Sequence, residues 1–422
     1  MLKVLSTSWA LLLGIMLLML GNGIQGTLLG IRGGIEGFTT WQMSVVMSAY
    51  YLGFLAGSRA APLMIQRVGH VRVFAALGSL ISAVLVLYAA APDWIAWSAL
   101  RVIIGLSFAG VYVTAESWLN NTATNETRGQ TLSLYMIVQM AGIISAQGLL
   151  NLADPGGYTL FVVASVLVSL SFTPILLSIS PAPSFSSSKS MSIRKLAGIS
   201  PLGCVGIFLM GGVSSALFGM AAVWGGLVGL SVLEISTFVA AIYIGGLVFQ
   251  YPIGWMSDAM DRRRLIVGVS LLCGGVAFGA ALAQLPFALL IVVALLIGGL
   301  ANPLYSLLLA HTNDFLQADD MAGASGGLLF INGVGAVAGP LVIGWLMAEI
   351  GPRGFFLFIG LLNALLGAYA LWRMSRRAAP EPADQGGYTP LTPDASTVTL
   401  DAAFEAASSD QTETDNAHGP ST

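Results

Sequence analysis

The stretch Gly53–Arg72 reads GFLAGSRAAPLMIQRVGHVR, and Gly245–Arg264, 192 positions further on, reads GGLVFQYPIGWMSDAMDRRR. Each closes a hydrophobic run with a short basic turn. A chain that repeats a membrane hairpin halfway along is most simply two helical bundles related by an internal repeat. The register extends outward from both turns. Tyr51 aligns with Tyr243 and Gly14 with Gly206 at the same offset, and Pro155-Gly156-Gly157-Tyr158 resembles Pro352-Arg353-Gly354-Phe355 at an offset of 197. The halves share one orientation, which places the repeat axis along the membrane normal.

The composition belongs to a bilayer rather than to water. Hydrophobic residues make up 56% of the chain and Asp, Glu, Lys and Arg only 9%, with a mean hydropathy of +0.83; a soluble domain carries roughly 25% charged residues. The 51 glycines suit membrane helices, where small side chains let backbones approach closely. The formal charge of −3 hides an asymmetry. Eight acids (Glu381, Asp384, Asp394, Asp401, Glu405, Asp410, Glu413 and Asp415) lie in residues 380–422, a stretch without Lys or Arg, leaving 17 basic against 12 acidic residues elsewhere. Cys204 and Cys273 fall in apolar runs and read as packing residues, with no disulfide or metal site implied.

Apolar runs of roughly 20 residues are each long enough to cross a bilayer. They predict an all-α membrane protein with twelve transmembrane helices in two pseudo-symmetric six-helix bundles. The spans lie near 7–30, 42–65, 73–91, 94–118, 130–152, 157–179, 202–225, 233–255, 265–284, 287–311, 322–348 and 354–374. They divide into an N-terminal bundle (1–179), a Ser/Pro-rich cytoplasmic linker (180–200), a C-terminal bundle (201–375) and a disordered acidic cytoplasmic tail (376–422). Lys3 ahead of the first run resembles a signal peptide. Hydrophobicity resumes after Gly21–Gly26, however, and no A-x-A site follows, so the run reads as a helix. Lys3, Arg67, Arg72, Arg128, Lys189, Arg194, Lys195, Arg262, Arg263, Arg264, Arg373, Arg376 and Arg377 fall in one set of loops or at the termini. Only Arg32 and Arg353 occupy the other loops, so the positive-inside rule puts both termini in the cytoplasm of an inner-membrane protein.

The basic turns resemble the signature of the major facilitator superfamily, G-x-x-x-D-x-x-G-R-R after the second helix with a weaker copy after the eighth. Here the fuller copy is the second, with Gly254, Asp258, Arg262 and Arg263, and Asp261 where a second Gly is usual. The first copy keeps Gly69 and Arg67 but has Gln66 at the acidic position. Arg101-x-x-x-Gly105 in span four is similar to the family's R-x-x-x-G motif. Gly335-x-x-x-Gly339-Pro340 in span eleven looks like the Gly-Pro motif of antiporters, which belongs in span five, where this chain has Ala146-Gln147-Gly148. Glu116-Ser117-Trp118-Leu119-Asn120 followed by Arg128-Gly129-Gln130, and Asn302-Pro303-Leu304-Tyr305 with His311-Thr312-Asn313-Asp314, look like the YcaD-like bacterial subgroup.

The resemblance implies a secondary transporter that moves a small molecule by alternating access around a midplane cavity, driven by an ion gradient, with protons the first expectation. Drug or metabolite efflux is the alternative, and a non-transporting receptor or scaffold keeping the same fold is a further one. The expected partners are the substrate, the lipid bilayer and protons, with no nucleic acid, no cofactor, no metal, and a monomer as the working unit. No Walker loop occurs, so an ATP-driven pump within this chain is excluded. Gly21-Asn22-Gly23-Ile24-Gln25-Gly26 spells GxGxxG inside a membrane helix, and Gly323-Ala324-Ser325-Gly326-Gly327 spells GxSxG without a strand before it. Neither has the context its chemistry needs.

Arg101 is the sharpest site candidate. It lies roughly 10 Å inside span four, where a charge costs at least about 2.5–3.5 kcal/mol on insertion and should face a polar interior. It either handles substrate or protons, or serves structure by bonding carbonyls and Asn22 or Gln25. In the family's fold spans one, four, seven and ten line the cavity. This makes Asn22, Gln25, Tyr112, Trp224, Asn302 and Tyr305 lining candidates, joined by Gln139 of span five and Asn332 of span eleven. A cavity with one Arg and few acids suits a neutral or anionic cargo.

Charges at the cytoplasmic ends suggest a gate. Asp258 could face the amino end of span five, where unpaired N–H groups favour an anion. Arg262, Arg263 and Arg264 could pair with Glu116 or Glu126 across the halves, and Arg67 and Arg72 with Asp314, Asp319 and Asp320, with Arg128 on the same face. The alternative is a set of solvated loop charges that serve topology. Glu116 and His311 read as structural partners rather than proton carriers.

Overall fold

The computed structural model describes residues 2–123, 127–177, 191–376 and 385–405. Glu126, most of the expected linker and the tail beyond 405 lie outside the described residues, as does the side chain of Asp319. No strand occurs among the described residues. The first half contains α1 (Leu2–Ile35), α2 (Thr40–Val68), α3 (His70–Ala90), α4 (Trp94–Thr122), α5 (Arg128–Leu149) and α6 (Thr159–Leu177). A short helix, α7 (Ile193–Ile199), precedes α8 (Pro201–Ser215), which runs through a π-helical turn at Ala216–Met220 into α9 (Ala221–Leu227). The second half continues with α10 (Val232–Ala259), α11 (Arg262–Leu282), α12 (Phe287–Asn313), α13 (Ala318–Ile350) and α14 (Arg353–Met374).

Every expected span is met by a helix. Among the described residues ten rods are long and apolar enough to cross a membrane, and α2 and α6 fill the second and sixth places. The hydropathy of α2 is diluted by Arg59, whose guanidinium lies 4.3 Å over the Phe330 ring, and by Arg67 near its end. Large apolar side chains such as Leu52, Leu63, Val248, Trp255 and Leu272 stay exposed. That belt suits a surface solvated by lipid tails.

The repeat read from the basic turns reappears in detailed geometry. Gly37 (φ 76°) and Gly229 (φ 78°) make the turns before α2 and α10. Two residues later Thr39 and Ser231 cap those helices through matching capping boxes with Gln42 and Glu234. A Cβ on Gly53 would lie 2.0 Å from the Val102 carbonyl oxygen, and one on Gly245 would lie 2.0 Å from that of Leu295. In return, Gly105 and Gly298 abut the carbonyls of Tyr50 and Ile242. The α2–α4 and α10–α12 pairs therefore pack backbone to backbone in the same way, with small residues at the crossing.

Within each half the remaining helices also pack alike: α1 against α5 and α6, and α8 against α13 and α14. The halves meet through α2 with α13, α5 with α10 and α1 with α9. Ser48 Oγ donates to the Val337 carbonyl at 2.6 Å, and Asn151 Nδ2 donates to Ser236 Oγ at 3.1 Å. Gly30 abuts Ala222. These contacts gather toward the end opposite the basic turns. At the basic end the space between the halves is filled by the chain's own tail.

That is a correction to the expectation of a disordered tail over 376–422. Residues 385–405 are ordered, and 397–405 form a helix, α15. The acids in this stretch read as solvated, but its apolar residues are spaced to make a face. Leu400, Ala403 and Phe404 follow helical spacing, and with Leu391 and Ala395 they are buried against the bundles.

Candidate functional site

A cavity of ≈ 130 Å³ lies between the halves, lined from α1, α2, α4 and α5 on one side and from α8, α10, α12 and α13 on the other. Among its lining residues are Asn22, Gln25, Arg101, Gln139, Asn302 and Asn332. Six of the nine sequence candidates thus share one chamber.

The first half contributes a polar string. Arg101 Nη1 donates to Gln25 Oε1 at 3.1 Å, and Gln25 Nε2 donates to Asn22 Oδ1 at 3.0 Å. Asn22 Nδ2 in turn donates to the Tyr112 hydroxyl at 3.2 Å. Tyr112 itself lies just behind the chamber wall. The arginine is buried, with Nη2 2.7 Å from Met47 Sδ and its guanidinium 5.1 Å from the Tyr50 ring centre. Its Nε has no partner among the described residues. The bond to Gln25 is the structural partnership the sequence suggested, and Nε remains a donor without a partner among the described residues.

The second half offers amides in search of partners. Asn302 is buried with neither Oδ1 nor Nδ2 bonded, and Asn332 has Oδ1 unbonded. Buried polar atoms without partners carry a desolvation cost of about 1–3 kcal/mol each. Across a cavity, these are the atoms a polar ligand would satisfy.

Two candidates fall elsewhere. Trp224 sits in α9, donating from Nε1 to the Pro352 carbonyl at 3.1 Å and stacking on Phe355. It packs within its own half, beyond the π-helical turn, and does not line the cavity. Tyr305 is wholly buried in the body of α12 and does not line the chamber.

Sequence reading passed over Tyr50, Tyr51, Ser58, Gln147 and Tyr243, all of which line the cavity. The signal was present for two of them. Tyr51 and Tyr243 are equivalent positions of the repeat, and a site on the repeat axis collects matched residues from both halves. Gln147, bonded to Thr27 Oγ1 at 3.0 Å, occupies the position where the antiporter-like Gly-Pro motif was sought.

The charges at the basic end pair differently from the expectation. Arg262 does not reach Glu116. It is buried with its Nη1 2.5 Å from Asp314 and Nη2 3.5 Å from Asp258, both in its own half. Burial pushes the Asp314 carboxyl above the ordinary aspartate value, and the opposing pull of Arg262 does not cancel it. Arg263 pairs with Asp261 at 3.0 Å. Asp258 does not cap α5; it accepts from the Tyr388 backbone N–H of the tail at 3.0 Å. Glu116 accepts from the Tyr135 hydroxyl at 2.9 Å and from Ser396 of the tail. Arg128 pairs with Glu405 at 2.6 Å, Asp320 pairs with Lys195 at 2.6 Å, and Arg67 and Arg72 are exposed. With the halves apart at this end, the tail takes the places that the opposite half was expected to fill.

Comparison with known proteins agrees with this architecture. The Major Facilitator Superfamily model matches residues 203–411, and the Sugar (and other) transporter model matches 22–185. The uncharacterized MFS-type transporter YcaD of Escherichia fergusonii is 26% identical over 355 residues, covering 83% of this chain and 91% of that protein. An uncharacterized MFS-type transporter of Yersinia pestis is 27% identical over 361 residues, with the same coverage of 83% and 91%. Among solved structures, the nucleoside transporter NupG superposes with a TM-score of 0.70 at 14% identity, covering 88% of this chain and 99% of that one. A D-xylose-proton symporter gives 0.71 at 15% identity, covering 90% and 99%. The chain belongs to the major facilitator superfamily. It is a multi-pass membrane transporter rather than an enzyme.

Proposed function

We propose that the protein is a secondary active transporter of a small neutral or anionic molecule, working by alternating access and coupled to protons. The observation that carries this reading is the facing of two unlike polar surfaces across one chamber. The Arg101–Gln25–Asn22–Tyr112 string lies on one half and the under-bonded Asn302 and Asn332 on the other. A ligand bonded to both halves ties its own binding to their relative position, which is what alternating access requires.

The two six-helix units are then the rocking bodies, 1–179 and 201–375. The placement of basic residues supports an inner-membrane protein with both termini in the cytoplasm. On that orientation the chamber here faces the cytoplasm. The cross-half charges Arg67, Arg72, Arg128, Arg262 and Arg263 with Glu116, Asp258 and Asp314 would close its cytoplasmic mouth in the alternate state.

Purified protein in proteoliposomes, screened for uptake of small metabolites with and without a pH gradient, tests the reading. Cargo that accumulates only with the gradient supports proton coupling. Accumulation that ignores the gradient removes it.

A further inference from the structure

Residues 385–405 re-enter the gap between the halves and bond to both. On the second half, Gly386 N–H donates to Asp314 at 3.1 Å while Arg262 donates to the Gly386 carbonyl. Leu391 exchanges two hydrogen bonds with Ser306 Oγ, at 2.9 and 3.1 Å. Asn332 Nδ2 donates to the Pro393 carbonyl at 2.8 Å. On the first half, Ser396 donates to Glu116 from both its N–H and its hydroxyl, and Glu405 takes Arg128.

Between these anchors Thr392, Pro393 and Asp394 form part of the chamber wall. The Asp394 carboxylate lies on that wall, near the Tyr112 and Thr392 hydroxyls. It therefore sits near the Tyr112 end of the polar string that starts at Arg101.

We propose that residues 385–405 are a tethered competitor for the transported molecule, with the Asp394 carboxylate holding the place of an anionic group on the substrate. This rests on the reading of the chamber as the substrate site. Three features support it. The segment is bonded to both halves, so while seated it pins their relative position. It occupies the path from the basic end to the chamber. It also leaves Asn302 and the Arg101 Nε unbonded, so the seated segment does not exhaust the polar groups around the chamber. Transport then requires the segment to leave, and small carboxylates should bind better once it has left.

The test reads the plug without needing the cargo. Ser58, which lines the chamber, is replaced (Ser58→Cys), and maleimide labelling is followed in three proteins: the full chain, a chain ending at Arg376, and a full chain carrying Ser396→Glu. The last sets a carboxylate against Glu116 while leaving the rest of the tail in place. Labelling should be at least about tenfold faster in the truncated chain and intermediate in Ser396→Glu. Equal rates in all three overturn the plug.

Thermal shifts with lactate, succinate and glutamate, against their amides, read the second half of the proposal. The carboxylates should stabilise the truncated chain more than the full chain and more than the amides do. Equal shifts for full and truncated chains overturn competition, and equal shifts for acids and amides overturn the anionic placeholder. If labelling rises yet the truncated chain moves no solute in proteoliposomes, the plug stands and the transport reading fails.

Discussion

At the scale of single residues, Arg101 and Asp401 make the sharpest predictions. Hydrogen bonds to charged groups are worth about 1.5–3 kcal/mol, so Arg101→Ala should lower transport by about tenfold or more. Folding should be spared, because Gln25 keeps its bond to Asn22. Arg101→Lys should rescue only part of the loss, since a single ammonium cannot reach both Gln25 and a ligand in the fixed fork of a guanidinium. Wild-type rates in Arg101→Ala would remove it from the site.

Asp401 lies in α15, where burial pushes its carboxyl to about 7, opposed by the nearby Ser325 hydroxyl and with added repulsion from Glu405. A released tail returns it toward the ordinary value of about 3.9. The seated tail thus binds more protons than the free one, and its hold is complete below about pH 4 and weakens as pH rises toward about 7. The other groups facing the segment are Glu116, Arg128, Asp258, Arg262 and Asp314. Labelling of Ser58→Cys, normalised to an exposed cysteine, should quicken between pH 5 and pH 8 in the full chain, and Asp401→Asn should flatten the profile. An unchanged profile in Asp401→Asn would assign the titration to another group.

Arg101 was legible in the sequence because a charge inside a span has few places to go. Tyr50 and Ser58 were not, because a tyrosine or serine in a membrane helix looks the same whether it faces a cavity or a neighbouring helix.

At the scale of elements, the backbone crossings of α2 with α4 and α10 with α12 are among the tightest commitments of the fold. Gly53→Ala and Gly245→Ala each force a methyl against a carbonyl oxygen of the facing helix. Overpacking of this kind costs about 1–3 kcal/mol. Each substitution should lower the thermal midpoint in detergent, by comparable amounts because the two contacts are equivalent. A loss confined to one half would mean that the repeats are not mechanically matched.

The helices themselves were legible from hydropathy, and the capping boxes at Thr39 and Ser231 explain where α2 and α10 begin. The tail was not legible as structure. Its acids dominate its composition, while the small apolar face of Leu400, Ala403 and Phe404 becomes meaningful only against a receiving groove. Likewise, nothing in the composition of α8 and α9 marks the π-helical turn between them.

At the scale of the whole molecule, the internal repeat connects sequence to mechanism. Equivalent turns at Gly37 and Gly229, caps at Thr39 and Ser231, and crossings at Gly53 and Gly245 build two bodies of like design. The bodies touch at the end opposite the basic turns and stand apart at the basic end, around a chamber whose polar groups come from both. The repeat showed the architecture because it recurs at one fixed offset. Which state the halves adopt was hidden, since the same charges can pair across the gap or, as Arg262 and Asp314 do, within one half.

The decisive measurement is a pair of spin-label distances across the halves, Val71 to Met256 at the basic end and Tyr158 to Leu233 at the other. Recorded in nanodiscs for the full chain and for the chain ending at Arg376, the truncated protein should show a second population in which the first distance shortens while the second lengthens. A single unchanged distance at both ends, with and without the tail and with cargo added, would contradict a transporter built on two rocking halves.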